Sequence, residues 1–154
     1  MATEIERKFL VNGDAWRSLA VGTLYRQGYI ATNPQRTVRV RVVENTGFLT
    51  IKGLSIGISR PEFEYIIPIE DAEQMLQNLC DLPLIEKTRS KIKVGDLLWE
   101  VDEFEGENKG LILAEVELTD ENQTVELPNW IGKEVSGDPR YSNSYLAKHP
   151  FSHW

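Results

Sequence analysis

The chain has 154 residues, a net charge of −7 and a single cysteine, Cys80. Its length suits one domain over residues 1–154, and its negative charge argues against nucleic acid or an anionic membrane as a partner, because both select basic surfaces. One cysteine excludes an internal disulfide framework, and the chain has neither the layout of a signal peptide nor an apolar run long enough for a membrane helix. We therefore expect a soluble, cytoplasmic protein.

Most segments alternate polar and apolar residues with a period of two and are rich in β-branched and aromatic side chains, which predicts strands. The eight predicted strands lie near residues 3–11, 23–31, 36–44, 47–53, 59–69, 84–94, 96–104 and 110–119. Connectors as short as 45–47 and 94–96 allow only hairpins. Neighbouring strands should therefore be antiparallel and form a meander over most of the sheet.

Two segments have helical patterns. Apolar side chains recur at three- and four-residue spacing over residues 71–80, which predicts a short amphipathic helix on the sheet. Residues 141–148 predict one or two further turns, which Pro150 ends. The stretch 127–140 contains two prolines and is predicted to be a loop.

Charged residues share one face of several predicted strands, because side chains two apart in a strand point the same way. Carboxylates form four pairs: Glu4 with Glu6, Glu62 with Glu64, Glu100 with Asp102, and Glu115 with Glu117. The basic residues on such faces are Arg39 with Arg41, Lys87 with Arg89, and the single residues Lys8 and Lys52. Like charges are thus grouped instead of being mixed.

Two interpretations fit this grouping. A sheet with one packed and one solvated face alternates in the same way, and alternation does not say which face lies inside. The separation of signs favours a cleft, because like charges repel more strongly once water is excluded and are tolerated there when ligands of opposite charge lie between them. Carboxylates without cysteine or histidine suit hard cations such as Mg²⁺, Mn²⁺ or Ca²⁺, whereas arginine pairs suit phosphate oxygens. A site for divalent metal and polyphosphate is therefore predicted.

The charged segments resemble the motifs of the CYTH superfamily, the triphosphate tunnel metalloenzymes. The family hallmark Glu-x-Glu-x-Lys occupies residues 4–8. Similar segments follow in the family's order: Arg-Gln-Gly-Tyr at 26–29, Arg-Val-Arg at 39–41, Thr-Ile-Lys-Gly at 50–53, Glu-Lys-Thr-Arg at 86–89 and Ala-Glu-Val-Glu-Leu at 114–118. The resemblance implies a mainly β (α+β) fold, an eight-stranded antiparallel β-barrel that forms a tunnel, with the charged face inward and a few short helices.

The resemblance also implies roles for individual residues. The positions that match phosphate-binding residues are Lys8, Arg39, Arg41, Lys52, Lys87 and Arg89. Those that match metal-binding residues are Glu4, Glu6, Glu62, Glu64, Glu100, Asp102, Glu115 and Glu117, and they would hold Mg²⁺ or Mn²⁺, as two ions. Lys8, Tyr29 and Lys87 would act in catalysis, with Tyr29 either paired with Lys8 or serving only as a barrel aromatic.

The implied activity is metal-dependent hydrolysis of the terminal phosphate of a triphosphate. Inorganic tripolyphosphate, cleaved to pyrophosphate and phosphate, is the leading substrate. Alternatives are a class IV-type adenylate cyclase, a thiamine or nucleoside triphosphatase, and a non-catalytic polyphosphate-binding module. A homodimer fits a small barrel with exposed edges, although no residue in the sequence points to one.

Some sequence features depart from the family pattern or are set aside. Some family hydrolases carry lysines around Arg-Tyr-x-Asn, whereas this chain reads Arg-Tyr-Ser-Asn-Ser at 140–144, so Arg140 or Lys133 would have to supply any such phosphate contact. Cys80 is expected to be a structural thiol. His149 and His153 are not expected to bind metal, because Pro150 interrupts the helix between them.

Overall fold

The structure is a computed structural model and describes residues 3–154. These residues contain nine strands: β1 (Thr3–Val11), β2 (Thr23–Asn33), β3 (Arg36–Val43), β4 (Thr46–Lys52), β5 (Ser59–Ile67), β6 (Ile85–Val94), β7 (Leu97–Phe104), β8 (Ile112–Glu117) and β9 (Ile131–Glu134). They also contain two α-helices, α1 (Ile69–Asn78) and α2 (Asn143–Lys148), and four short 3-10 turns. None of the helices in this part of the chain has the length and apolar character that a membrane span requires.

Eight of the strands form a closed ring. Their order is β5-β4-β3-β2-β6-β7-β8-β1, and residues 3–5 of β1 pair with β5 to close it, while β9 adds to the outer end of β1. Every pairing is antiparallel. The predicted eight strands, their antiparallel order and the tight hairpins β3–β4 and β6–β7 are confirmed.

The largest apolar cluster lies outside the ring. Trp99 of β7 and Val116 of β8 pack under Phe9 of β1, and Trp16 and Trp130 cover them from the flanking loops. Since strand side chains alternate, this buried outer face leaves the charged positions of the same strands to point inward. Burial of these aromatic and branched side chains supplies the hydrophobic stabilisation of this half of the ring.

Helix α1 covers the opposite half. Ala72 and Leu76 pack on Val40 and Val42 of β3, again on the outer face. The helix begins two residues before the predicted residue 71, directly after Pro68, and its acidic first turn matches the positive end of the helix dipole. The predicted amphipathic helix on the sheet is therefore confirmed with a shift of its ends.

Helix α2 closes part of one end of the ring. Its residues Leu146 and Ala147 pack on Tyr29, Ile85 and Phe104, where inward positions change from charged to apolar. The prediction of one or two turns over residues 141–148 is confirmed. The prediction of loop alone over 127–140 was wrong at residues 131–134, because β9 forms there by pairing with β1.

Candidate active site

The ring encloses a cavity of about 620 Å³, and all eight ring strands contribute side chains to it. The lining contains eight acidic residues, Glu4, Glu6, Glu44, Glu62, Glu64, Glu100, Glu115 and Glu117. It contains eight basic residues as well, Lys8, Arg39, Arg41, Lys52, Arg60, Lys87, Arg89 and Lys91. In a chain of net charge −7, the cavity is thus balanced in formal charge and dense in both signs.

All the residues predicted for the site line this cavity except Asp102. The Asp102 carboxylate is buried behind the wall, where Oδ2 lies 2.8 Å from Lys87 Nζ and Oδ1 lies 2.7 Å from Arg89 Nε. Burial alone would raise the pKa of Asp102, but the charges of Lys87 and Arg89 lower it. Asp102 is placed to hold two cations rather than to face a ligand.

Lys52 lies between two carboxylates. Its ammonium is 3.0 Å from Glu4 Oε2 and 3.1 Å from Glu62 Oε2. Burial opposes ionisation of both acids. In Glu4 this effect is outweighed by a hydrogen bond to Glu62 and by the charge of Lys52, which lower its pKa to about 2. In Glu62, burial and that same hydrogen bond raise the pKa to about 7. Glu62 therefore holds a proton more readily than Glu4 does.

The two arginines of β3 that line the cavity, Arg39 and Arg41, have few acidic partners. Arg39 is buried, donates to Thr50 Oγ1 at 3.1 Å and to Glu64 at 3.4 Å, and its Nε has no hydrogen-bond acceptor within residues 3–154. Over the same residues, no carboxylate lies within 4.0 Å of the Arg41 guanidinium, whose Nε donates to Gln27 Oε1 at 3.0 Å. Burial and the neighbouring charges of Arg39 and Arg89 lower the pKa of Arg41 to about 10. This corner of the cavity therefore attracts anions.

On the other side of the cavity, carboxylates repel one another. Burial and the charges of Glu115 and Glu4 raise the pKa of Glu6 well above its ordinary value. Burial, Glu4 and Glu100 likewise raise the pKa of Glu117. Within residues 3–154, no three acidic, cysteine or histidine side chains converge into a ready-made metal site. Hard oxygen donors held close at unfavourable electrostatic cost nevertheless fit a divalent cation, whose charge would relieve the repulsion.

Lys8 is held between the backbone and an acid. Its Nζ donates to the carbonyl oxygen of Tyr141 at 3.0 Å and lies 3.5 Å from Glu115 Oε1. The Tyr29 hydroxyl accepts a hydrogen bond from Gln27 Nε2 at 3.1 Å. In the described part of the chain no hydrogen bond joins Lys8 to Tyr29, so their pairing stays a prediction.

Sequence reasoning missed three residues that shape the site. The Tyr25 ring contacts the guanidinium groups of both Arg41 and Arg89, whose Cζ atoms are 5.0 and 4.9 Å from its centroid. Gln27 links Arg41 to the interior, and Asn143 Oδ1 accepts from Lys87 Nζ at 3.0 Å. The period of two that places Tyr29 inward also places residues 25 and 27 inward, which was the available signal.

The C-terminal segment lines the cavity with residues other than Arg140 and Lys133, the two that the sequence offered for a phosphate contact. Ser142, Asn143 and Ser144 line the cavity, whereas Arg140 and Lys133 do not. Arg140 instead donates to both carboxylate oxygens of Asp138 and stacks on aromatic rings at the surface. A phosphate contact from Arg140 or Lys133 is therefore not supported.

Arg60 also lines the cavity, where it donates to the carbonyl oxygen of Gly53.

Cys80 and His149 were not expected to take part in the site. Cys80 packs beside the α1 cluster, and burial raises the pKa of its thiol to about 11, which fits a structural residue. His149 stacks on Tyr145, with ring centroids 4.2 Å apart, and lines a second cavity of about 450 Å³ that shares Glu4, Glu6 and Lys8 with the first.

Comparisons with known proteins agree with this architecture. The family model of the CYTH domain matches residues 2–144. A curated inorganic triphosphatase of Acetivibrio thermocellus is 55% identical over the whole of this chain and 99% of its own length, and one of Nitrosomonas europaea is 39% identical over 94% and 97%.

A solved structure described as an inorganic triphosphatase is 36% identical, with a TM-score of 0.64 over 96% of this chain and 95% of its own. The matched region includes every strand of the ring and the charged motifs that line it. This chain belongs to the CYTH domain family.

Proposed function

We propose that this protein is a divalent-metal-dependent inorganic triphosphatase, which hydrolyses tripolyphosphate to pyrophosphate and phosphate. The observation that carries the proposal is the Arg41 guanidinium, which faces a charged cavity without a carboxylate partner in residues 3–154. A cation left unpaired in this way is satisfied when a phosphate oxygen binds. The relatives at 55% and 39% identity, both named inorganic triphosphatases, support the substrate class.

Six basic residues would bind the phosphate groups. Arg39 and Arg41 present guanidinium groups suited to two-pronged contact with phosphate oxygens, and Arg89 shares the Tyr25 ring with Arg41. Lys8, Lys52 and Lys87 add ammonium groups around the cavity. Because Lys52 pairs with Glu4 and Glu62, we infer that bound phosphate replaces those carboxylates as its partner.

Seven carboxylates would together hold two divalent ions, either Mg²⁺ or Mn²⁺. They are Glu4, Glu6, Glu62, Glu64, Glu100, Glu115 and Glu117. The balance of eight acidic and eight basic residues in the lining supports this, since a polyphosphate alone would leave the cavity strongly negative. Asp102 is omitted because it faces Lys87 and Arg89 instead. When bound, divalent ions polarise phosphoryl oxygens and lower the pKa of water.

The protein's own residues would perform the remaining tasks. Arg39, Arg41 and Arg89 fix the chain of phosphates along the cavity, which aligns the terminal phosphorus for in-line attack by water. Lys8 and Lys87, held by Tyr141 and Asn143, neutralise charge that develops on the phosphate oxygens. Tyr29 would support this end of the site through Gln27 rather than by direct contact with Lys8.

The lining favours an inorganic substrate over a nucleotide. The guanidinium groups of Arg41 and Arg89 both lie over the Tyr25 ring, so this aromatic residue of the cavity is already engaged by two cations. Charged and polar groups dominate the rest of the wall. A polyphosphate, which is anionic along its whole length, matches such a surface without any base-specific contact.

The test is phosphate release by the purified protein from tripolyphosphate, pyrophosphate, ATP and thiamine triphosphate, each with Mg²⁺, with Mn²⁺ and with chelator. Fast metal-dependent release from tripolyphosphate, with pyrophosphate left uncleaved, is expected. Preferred release from ATP or thiamine triphosphate would replace the inorganic substrate by an organic one. Formation of cyclic AMP, or binding of tripolyphosphate without release, would contradict hydrolysis and indicate a cyclase or a binding module.

A further inference from the structure

Gln27 is a buried neutral side chain that contacts three residues lining the charged cavity, Tyr29, Arg41 and Asn143. It lies on β2 with an exposed fraction of 0%, between Tyr25 and Tyr29 on the inward face. A buried amide without partners is costly, so its contacts report what it does. All of its side-chain hydrogen bonds go to residues around the anion-attracting corner.

The hydrogen bonds fix which way the amide points. Gln27 Nε2 donates to the Tyr29 hydroxyl at 3.1 Å and towards Asn143 Oδ1 at 3.4 Å. Because Arg41 Nε can only donate, the amide oxygen faces it, at 3.0 Å, and the amide nitrogen faces Tyr29 and Asn143. Asn143 Oδ1 also accepts from Lys87 Nζ at 3.0 Å, so one network joins two cations of the site.

Arg41 differs in this respect from Arg89, which contacts the same Tyr25 ring. Arg89 is held by two carboxylates, Asp102 and Glu100, which compensate its charge. Arg41 is held through Nε by an uncharged oxygen. An amide fixes the direction of the guanidinium while leaving its charge and its terminal nitrogens available to an anion.

We propose that Gln27 is a positioning residue for the substrate: its neutral amide oxygen orients Arg41 towards the phosphate without competing for the charge. This inference rests on the proposed function, since it requires that Arg41 binds phosphate. A glutamate in the same place would form an ion pair with Arg41 and oppose the substrate. The identity of residue 27 thus sets how strongly this half of the cavity binds an anion.

The test compares Gln27→Glu and Gln27→Met with a matched control, Gln35→Glu, which adds the same charge at an exposed turn position outside the cavity. We expect Gln27→Glu to raise KM for tripolyphosphate by roughly tenfold or more, the usual size of losing a hydrogen-bonded charge contact. Gln27→Met, which loses only the orienting bond, should raise KM by a smaller factor. The kcat should change less than KM in both variants, and Gln35→Glu should leave both constants unchanged.

The double variants with Arg41→Gln separate positioning from general disruption. If Gln27 acts through Arg41, Gln27→Met should not raise KM further once Arg41 is replaced, whereas the carboxylate of Gln27→Glu would still repel the polyanion there. The rise in melting temperature that tripolyphosphate causes in the presence of chelator should follow the same pattern, independently of turnover. Gln27→Glu is nearly isosteric, so it keeps the test available if Gln27→Met fails to fold.

Two results would overturn the inference. Equal effects of Gln27→Met with and without Arg41→Gln would show that residue 27 acts independently of Arg41, and an unchanged KM in Gln27→Glu would show that it does not act on binding. Either result is compatible with a working triphosphatase. By contrast, a wild-type protein that neither cleaves tripolyphosphate nor is stabilised by it would contradict the proposed function itself, and the role of Gln27 with it.

Discussion

The inner and outer faces of the ring use the same strands for opposite purposes. On β7, Trp99 and Val101 are completely buried on the outside, while Glu100 faces the cavity one residue away. On β3, β7 and β8 the outer face is apolar and covered by α1 and by Trp16 and Trp130, so these clusters contribute much of the stability. The inner face holds like charges close together, an arrangement that costs stability and suits ligand binding. The comparison predicts that substitutions on the two faces separate activity from stability.

The largest effect is expected for Glu117→Gln, an inner substitution. Loss of a proposed metal ligand should reduce kcat with tripolyphosphate by roughly a hundredfold or more, the scale of losing electrostatic stabilisation in the transition state. Because Glu4 and Glu100 repel Glu117, the melting temperature of the metal-free protein should stay equal or rise. Steady-state kinetics and thermal melts measure the two quantities. Unchanged turnover would remove Glu117 from the metal site.

An outer substitution should give the reverse result. Leu76→Ala removes a fully buried side chain of α1 from its contact with Val40 and Val42. We expect the free energy of unfolding to fall by about 3 kcal/mol, measured by urea denaturation. The kcat of the folded enzyme should remain near that of the wild type. A loss of kcat comparable to that of Glu117→Gln would mean that the two faces are not separable.

A smaller effect concerns pH and Lys87. Burial, with repulsion by Arg89 and Arg41, lowers the pKa of Lys87 to about 7 despite the attraction of Asp102. Above that pH the free protein loses the proton, whereas a bound polyanion favours the charged ammonium and raises the pKa again. Tripolyphosphate should therefore bind with proton uptake at pH 8, and its affinity should fall as pH rises from 7 to 9.

Calorimetry in buffers of different ionisation enthalpy measures this uptake. Lys87→Met should abolish it and weaken binding at pH 7 by roughly tenfold, the scale of one charge-assisted contact. Lys91→Met is a suitable control, since Lys91 lines the outer part of the cavity and is exposed. Equal uptake in wild type and Lys87→Met would assign the proton to another group.

The smallest effect is expected at Arg7, the residue between Glu6 and Lys8. It points outward and forms an exposed ion pair with Glu134 at 2.7 Å. The hydrogen bond from Arg7, outweighing partial burial, lowers the pKa of Glu134. The pair therefore stabilises the fold above the ordinary pKa of Glu134, and this contribution is lost as pH falls through the lowered pKa.

For such an exposed pair, Arg7→Gln should cost less than about 1 kcal/mol at pH 7 and nothing at strongly acidic pH. Urea melts at the two pH values measure the difference. Turnover should not change. A large loss of activity would contradict the division between faces, because Arg7 stands within the Glu-x-Glu-x-Lys motif but outside the cavity.

The fold was largely predictable because strand period, short hairpins and family motifs agreed. Alternation could not say which face lies inside; the resemblance supplied that choice, and Trp16 and Trp130 supply the physical reason by covering the outer face. Strand β9 escaped prediction because its four residues contain Gly132 and lack alternation, so only pairing with β1 makes them a strand.

The site was predictable where it is charged and less so where it is neutral. Gln27 and Asn143 carry no charge and belong to no pair, so the grouping of signs did not single them out. Asp102 was expected in the lining because it alternates with Glu100, but near the end of β7 the cavity gives way to the apolar layer under α2. Whether an inward side chain reaches the cavity depends on which elements pack at the ends of the barrel. The pattern of residues along a strand does not contain that information.

The most direct test of the central claim, that triphosphate binds to the inner face, is the dissociation constant of tripolyphosphate for two double variants of equal net charge. Arg39→Gln with Arg41→Gln removes two inner cations of β3, and Arg7→Gln with Arg36→Gln removes two cations outside the cavity. Calorimetry in the presence of chelator should give a dissociation constant roughly a hundredfold higher for the inner double variant and one near the wild-type value for the outer. Equal weakening in both would mean that tripolyphosphate responds to overall charge, and the claim would be wrong.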